Sequence, residues 1–484
     1  MTHPRIRVLR ALLAALALLL SGAAVAPPAA ASGTQKSTDA LTGTEQILFR
    51  SGTAGYGCFR IPALVRTRTG TLLAFAEART SPSCADRGAI DIVMRRSTND
   101  GRTWGPVRVV LSGSESDREA PYTRGNATPV ADETTGDVFL ISTSEPSTAE
   151  PGGKRLPWVQ RSTDDGLSFG APAPLPRFSG DDEGWYGTGP AHGIQLKQGA
   201  AKGRLVVGAY ESPTPTTQYV GLLYSDDHGD TWKTSQTANS YEKDVLLPGE
   251  PAVAELDGGD VYIASRNNTD AGHRTHAVST DSGTTAPVQR LVPGLVTPQV
   301  QGSVLALRQT YRSTPGDTLV FAAPSDPVNR QSMRIRYSTD RGTTWQNASS
   351  GQINNKRAGY SDLAELGDGR IGLVYEGGTD FSAANIYFNR FTPSSAGVPG
   401  TFTGTLNPQP SPPAGRTTPD SGPEANDAYL GGSSALGTGR FGQGLTLDGA
   451  GDYADLPYTP SLDPGAGDVT YSLFFRYSAT ASSP

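Results

Sequence analysis

The sequence predicts an all-β chain of small sheets repeated around an axis, and three observations predict it. A short pattern, Ser-x-Asp-x-Gly-x-Thr-Trp, recurs five times along the 484 residues. Glycine (58) and proline (37) are plentiful while charged residues make up only 18% of the chain, a turn-rich composition. No extended stretch carries the apolar period of a helix; the apolar runs are short and bounded by Gly, Asp, Ser and Thr.

The repeats fix the architecture, so they come first. They span Ser97–Trp104, Ser162–Phe169, Ser225–Trp232, Ser279–Ala286 and Ser338–Trp345, and successive copies start 65, 63, 54 and 59 residues apart. Four short strands with their turns fill such an interval, as blades around an axis require. Within each copy the Asp side chain can accept from turn amides, the Gly can take a positive φ, and the closing aromatic can pack under the turn. Asn99, Phe169 and Ala286 depart from the pattern; these departures concern blade turns and leave the fold assignment intact.

The N-terminus carries an address. Arg5, Arg7 and Arg10 precede the apolar run 11–20, and small residues follow through Ala29, Ala30 and Ala31, the order of a secretory signal peptide over residues 1–31. The run is shorter than the ~20 apolar residues that span a bilayer, so membrane insertion is not expected. Removing residues 1–31 takes away three arginines and no acid, moving the formal charge from −6 to −9. Such a chain is a poor partner for nucleic acid, and an anionic ligand would need a local basic cluster. Cys58 and Cys84 are the only cysteines. Export favours a Cys58–Cys84 disulfide, with two buried free thiols as the alternative. No zinc-ligand spacing is present and no metal is expected.

The five boxes are the Asp-box signature, and with them the chain resembles the secreted bacterial exo-α-sialidase (neuraminidase) family, whose fold is a six-bladed β-propeller. The resemblance implies a propeller over residues 40–392, after an N-terminal extension at 32–39, and an enzyme of exo-α-sialidase type that needs no cofactor. Asp-boxes also occur in propellers that are not enzymes, so activity must rest on other residues.

Sialic acid carries a carboxylate on its anomeric carbon, and the planar fork of arginine meets a carboxylate through two parallel bonds. Arg60 lies in Phe59-Arg60-Ile61-Pro62, Arg266 in Ser265-Arg266-Asn267-Asn268, and Arg330 follows Phe321-Ala322-Ala323-Pro324 before the last box. The resemblance implies that these three bind the carboxylate, with Arg334 and Arg336 as near neighbours of the third. Tyr360, in Gly359-Tyr360-Ser361-Asp362, is similar to the family's nucleophile; a packed strand tyrosine is the alternative. Glu250, in Gly249-Glu250-Pro251-Ala252, matches the glutamate that takes the tyrosine proton, and Glu376, in Tyr375-Glu376-Gly377-Gly378, the carboxylate that orients Arg60. The family's acid/base aspartate falls between Ala78 and Val93, where Asp86 sits in loop sequence and Asp91 opens an apolar run. Asp86 is the better match, because catalytic groups concentrate on loops held by a scaffold. Its carboxyl would have to rise to act as an acid, which partial desolvation by bound substrate could provide. A Cys58–Cys84 bridge would tie that loop to the strand of Arg60. Two segments, Gly125–Pro129 and Gly187–Leu196, resemble walls of the substrate pocket.

After Phe391 the composition changes. Residues 393–419 read as an exposed Pro/Gly/Ser/Thr-rich linker. Residues 420–484 resemble the start of a laminin-G/concanavalin-A-like jelly roll, truncated before two full sheets can form, which in other chains contacts glycans. The Gly437-x-Gly439-x-x-Gly442 spacing lacks the strand and helix that would make it a dinucleotide site. The expected function is therefore release of terminal sialic acid from sialylated glycoconjugates outside the cell. The alternatives are a propeller lectin or adhesin that binds without cleaving, and an intramolecular trans-sialidase.

Overall fold

The computed structural model describes residues 41, 45–113, 122–146, 154–179, 184–214, 217–237, 241–242, 246–269, 272–307, 311–312, 318–367, 369–399, 401–402, 417–418, 428–431, 435–438, 443–447 and 453–455. The expected signal peptide and N-terminal extension lie outside them.

The chain is an all-β propeller in which the longest helix among the described residues is the single turn Pro393–Ala396. That turn opens the segment read from sequence as linker. Four sheets stand alone as blade-sized units, rather than the six expected. Three of them have four strands, and their innermost strands are Pro248–Glu255, Ser303–Ala306 and Arg357–Glu365. The fourth has six, built on Trp185–Thr188, Leu205–Thr214 and Thr217–Ser225. The remaining sheet is eight-stranded because Ile90 pairs in parallel with Thr123, joining the antiparallel set that begins at Cys58–Arg66 to the set that begins at Tyr122–Ala131. The innermost strands touch their neighbours in a closed cycle, with Cys58–Arg66 meeting Arg357–Glu365. The ring is also closed by hydrogen bonds: the early strand Gln46–Arg50 pairs with the late strand Asn385–Phe391.

Position in the sheet dictates sequence. Inner strands such as Pro248–Glu255 and Ile371–Gly378 are buried throughout, and outer ones such as Gln346–Gln352 are mostly exposed. The apolar clusters lie between sheets. Leu64, Leu72 and Ala74 of the first sheet pack with Val374, Ile386 and Phe388 of the last, and Phe75 and Met94 pack with Val138 and Leu140.

The boxes do what their sequence dictates. In each of the five, the Gly amide donates to the Ser hydroxyl at 2.8–3.0 Å and the third residue accepts from the amide four positions later at 2.9–3.0 Å. The fourth residue is left-handed every time: Asp100, Asp165, His228, Ser282 and Arg341 have φ of 53–61°. In four of the five its side chain latches onto an adjacent hairpin turn. Asp100 accepts from Gly367 N, Asp165 from Thr67, Thr69 and Thr71, while His228 meets Asp132 and Arg341 meets Asp260. The closing aromatics also differ from expectation, packing between blades as well as under their own turns. Trp104 lies 5.1 Å from Phe388 and Trp232 5.9 Å from Phe139. An aromatic ring needs a broad apolar face, and the neighbouring blade supplies it.

Beyond residue 399 the described pieces are small: Thr417–Thr418, Ala428–Gly431 and Tyr453–Asp455 form a three-stranded sheet, and Ala435–Thr438 pairs with Gln443–Thr446. They fall short of a jelly roll, which needs two full sheets.

Candidate active site

Four inner strands break register at one level, between Arg60 and Ala63, Gly125 and Thr128, Gly249 and Ala252, and Ala358 and Ser361. Bulges re-aim side chains and free backbone amides, and Ile61, Asn126 and Glu250 adopt φ of 56°, 55° and 45° to make them. The freed amides are met by buried carboxylates. Glu376 Oε1 accepts from Ile61 N at 2.8 Å and from Arg60 Nε at 2.6 Å, while Oε2 accepts from Tyr360 N at 3.1 Å. Glu77 accepts from Asn126 N at 2.9 Å. Residue 359 must be glycine for this, because a Cβ there would strike the Glu376 carboxylate.

The bulges bring the expected residues together. The Tyr360 hydroxyl, on a side chain that is only 5% exposed, hydrogen-bonds Glu250 Oε1 and accepts from Arg266 NH1 at 3.1 Å. Arg266 NH1 also donates to Glu250 Oε2 at 2.9 Å. The guanidinium carbons of Arg60 and Arg330 each lie 5.4 Å from the centre of the Tyr360 ring. Arg330 donates to Gln299 O at 3.1 Å. Its neighbour Arg336 instead points into the blade, donating to Ala323 O and Val296 O, and desolvation lowers it to about 9.

Charge follows from these contacts. Burial pushes the Tyr360 phenol well above its usual range and the Glu250 carboxylate adds to this; Arg266, Arg330 and Arg60 pull the other way and lose. Burial also opposes the charges of Arg60 and Arg266, but Glu376 and Glu250 outweigh it and raise both.

Asp86 is 80% exposed, with Oδ1 accepting from Arg79 NH1 at 2.6 Å and lying 3.9 Å from Arg60 NH1. Desolvation pushes its carboxyl up, but Arg79, Arg60 and Arg330 outweigh it and hold it below the ordinary carboxylate range. These cations work against the rise that an acid needs, so the expected desolvation by bound substrate would have to act against them. Asp91 is structural: it is buried, and accepts from Tyr56 OH at 2.5 Å and Gly113 N at 2.6 Å. Cys58 and Cys84 are disulfide-bonded with Cα atoms 5.4 Å apart, and Arg79 NH1 also donates to Cys84 O at 2.6 Å. The Asp86 loop is thus fastened to the strand of Arg60.

Sequence reasoning missed Arg79, which is almost fully buried between Glu77 and Asp86, though it stands in the segment searched for the acid. The two expected wall segments do meet, through Asn126 Nδ2 to Thr188 O at 3.1 Å and Thr188 Oγ1 to Asn126 O at 2.6 Å. Beside them Arg155 lies 4.3 Å over the Trp185 ring, and Trp185 Nε1 donates to Tyr210 OH at 3.1 Å. Lone aromatic and basic residues in strand sequence gave no signal of this. A cavity of about 380 Å³ lies at the other ends of the same inner strands, lined by Leu64, Ile194, Leu305, Leu366 and His192. No cluster of His, Cys, Asp or Glu among the described residues has the geometry to hold a metal ion.

A family model for the BNR repeat-like domain matches residues 70–373, the stretch that carries the five boxes. The chain belongs to the BNR-repeat sialidase family. A sialidase of Micromonospora viridifaciens is 32% identical to this sialidase-family chain over 370 residues, which cover 71% of the chain and 53% of the relative. The chain therefore spans about half the length of that relative. Among solved structures, the microbial sialidase Hz136 superposes with a TM-score of 0.60 at 23% identity, covering 72% of this chain and 69% of the other. A leech intramolecular trans-sialidase gives a TM-score of 0.62 at 18% identity, covering 73% and 70%. At such identity these two speak for the shared propeller fold. No helix among the described residues is long and apolar enough to cross a membrane.

Proposed function

We propose that this sialidase-family chain is an exo-α-sialidase that hydrolyses terminal sialic acids with retention through a covalent tyrosyl intermediate. The observation that carries the reading is the Tyr360 hydroxyl bonded to Glu250 within reach of three arginines. Arg60, Arg266 and Arg330 bind the substrate carboxylate. The Tyr360 oxygen attacks the anomeric carbon as its proton passes to Glu250; the bond to the aglycone breaks, and the departing oxygen takes the proton of Asp86. Water then attacks the same carbon, giving a proton to Asp86, and the Tyr360 oxygen leaves with the proton held by Glu250.

Electrostatics favours a phenol here. A carboxylate nucleophile beside the substrate's own carboxylate would meet a repulsion of about 4 kcal/mol at 4 Å and intermediate dielectric. The low Asp86 carboxyl fits the same scheme. The substrate carboxylate offsets the charges of Arg60 and Arg330, and covering by the sugar removes water, so binding itself raises the acid into its protonated form.

On the same reading the propeller has six blades, with the eight-stranded sheet counted as two, and occupies residues 40–392. The signal-like N-terminus supports a secreted enzyme acting on sialylated glycoproteins, glycolipids and oligosaccharides, with the C-terminal module as a further glycan contact. The test is release of a fluorogenic aglycone from an α-sialoside by the purified chain. Activity in the native chain and its loss in Tyr360→Phe support the mechanism, whereas unchanged activity in Tyr360→Phe overturns it. A native chain that binds sialosides without cleaving them is a lectin. NMR of the product separates free sialic acid from an anhydro sugar.

A further inference from the structure

Asp362 lies two residues after Tyr360 on the strand Arg357–Glu365, just past the bulge between Ala358 and Ser361. Its carboxylate is fully buried and has four donors. Oδ2 accepts from Leu64 N and His192 N, both at 2.8 Å; Oδ1 accepts from Leu363 N at 2.9 Å and lies 2.8 Å from His192 Nδ1. Leu64 belongs to the strand of Arg60, and His192 to the segment between Trp185–Thr188 and Ile194–Gln195. One carboxylate therefore joins three places around the axis. Gln301, also fully buried, ties the same pieces from the other side: its amide nitrogen donates to Ser361 O at 3.0 Å and Pro190 O at 2.7 Å, and its oxygen accepts from Ser361 N at 3.0 Å.

We infer that Asp362, with His192 and Gln301, is a positioning device that sets the height and direction of the Tyr360 phenol, an inference that rests on the proposed role of Tyr360. The backbone on both sides of the nucleophile is held. Glu376 takes Tyr360 N, Gln301 takes both polar groups of Ser361, and Asp362 binds across the axis to His192. Arg266 rests on Glu250 and Arg330 on Gln299, and neither Glu250 nor Gln299 is hydrogen-bonded to Asp362, His192 or Gln301. Loosening the axial tie at His192 therefore moves the attacking oxygen while Arg266 and Arg330 keep their own anchors. A misplaced nucleophile slows chemistry more than it weakens binding.

His192 is the residue to change, because its side chain supplies one of the four donors while its backbone supplies another. His192→Asn keeps a donor near the position of Nδ1; His192→Leu removes it and leaves an oxygen of a buried carboxylate short of a partner. Two readouts decide, on the full chain with ring-labelled tyrosine: the Tyr360 resonance, assigned by its absence in Tyr360→Phe, and steady-state kinetics on the fluorogenic sialoside. The expected result is a shifted Tyr360 resonance and a kcat reduced about tenfold in His192→Leu with KM changed by less than about twofold, and both near native in His192→Asn. An unmoved Tyr360 resonance in His192→Leu overturns the inference, whatever the activity. So does an equal loss of kcat in the two variants that follows their melting temperatures. A native chain inactive on every sialoside overturns the sialidase reading instead, and leaves the resonance experiment to decide the positioning.

Discussion

Glu376 holds Arg60 from the side, its Oε1 receiving the guanidinium Nε at 2.6 Å while the guanidinium carbon lies 5.4 Å from the centre of the Tyr360 ring. The same carboxylate binds the amides of Ile61 and Tyr360, so Arg60 and Tyr360 share one anchor. Glu376→Gln would keep an acceptor for Arg60 and Ile61 but set an amide N–H against the N–H of Tyr360. We expect KM to rise about tenfold or more and stability to fall by about 1–3 kcal/mol. Steady-state kinetics and urea unfolding of the two proteins check this.

Arg79 governs the protonation of Asp86. On the proposed mechanism Asp86 must be protonated in the substrate complex, so activity falls as pH rises through its pKa there and Asp86 sets the alkaline limb of kcat. Arg79→Leu removes the nearest cation and lets the carboxyl rise. The alkaline limb should then move to higher pH by about one unit or more. A limb that stays in place, or moves to lower pH, assigns the acid to another group.

The disulfide acts on stability and on the Asp86 loop together. It closes a separation of 26 residues, for which chain entropy gives about 3 kcal/mol. The double variant Cys58→Ser, Cys84→Ser should lose about that much in denaturant unfolding. It should also lower kcat/KM on substrates with poor leaving groups, which need the acid, more than on aryl sialosides, which do not.

Gly229 and Gly203 separate two costs of a side chain. Both have positive φ, 82° and 97°. A Cβ at Gly229 would strike the Phe139 ring, while one at Gly203 meets nothing within 4 Å. Gly203→Ala should cost about 1 kcal/mol from the backbone alone, and Gly229→Ala about 2–4 kcal/mol, because a ring packed between blades must also move. Paired thermal unfolding curves measure the difference.

What could be read from sequence was what a short stretch decides by itself. A box closes its own hydrogen bonds within eight residues, so its turns and its spacing were legible, as was the motif around Arg60. Asp86 was preferred to Asp91 on loop character, and the structure does put Asp91 to structural use on Tyr56 and Gly113. The long-range ties were hidden. Asp362 reaches Leu64 across 298 residues and His192 across 170, and nothing local in Ser361-Asp362-Leu363 marks it as an axial node. The depressed Asp86 carboxyl escaped for a different reason: its main cause, Arg79, is only seven residues away, but the fold decides that this guanidinium turns onto Asp86, and Arg60 and Arg330 add to it. The merging of two strand sets at Ile90 and Thr123 depends on one pairing that no pattern encodes.

The pairing of Gln46–Arg50 with Asn385–Phe391, and the latch from Asp100 to Gly367 across 267 residues, have a consequence for biosynthesis. A strand made at the start of translation finds its partner only when almost all of the ring has left the ribosome. Until then the nascent chain carries an unpaired edge at each end, and the entropic cost of joining them falls on the final step. Completion is all-or-none: a chain stopped before Phe391 keeps its early blades but has no way to shut the circle.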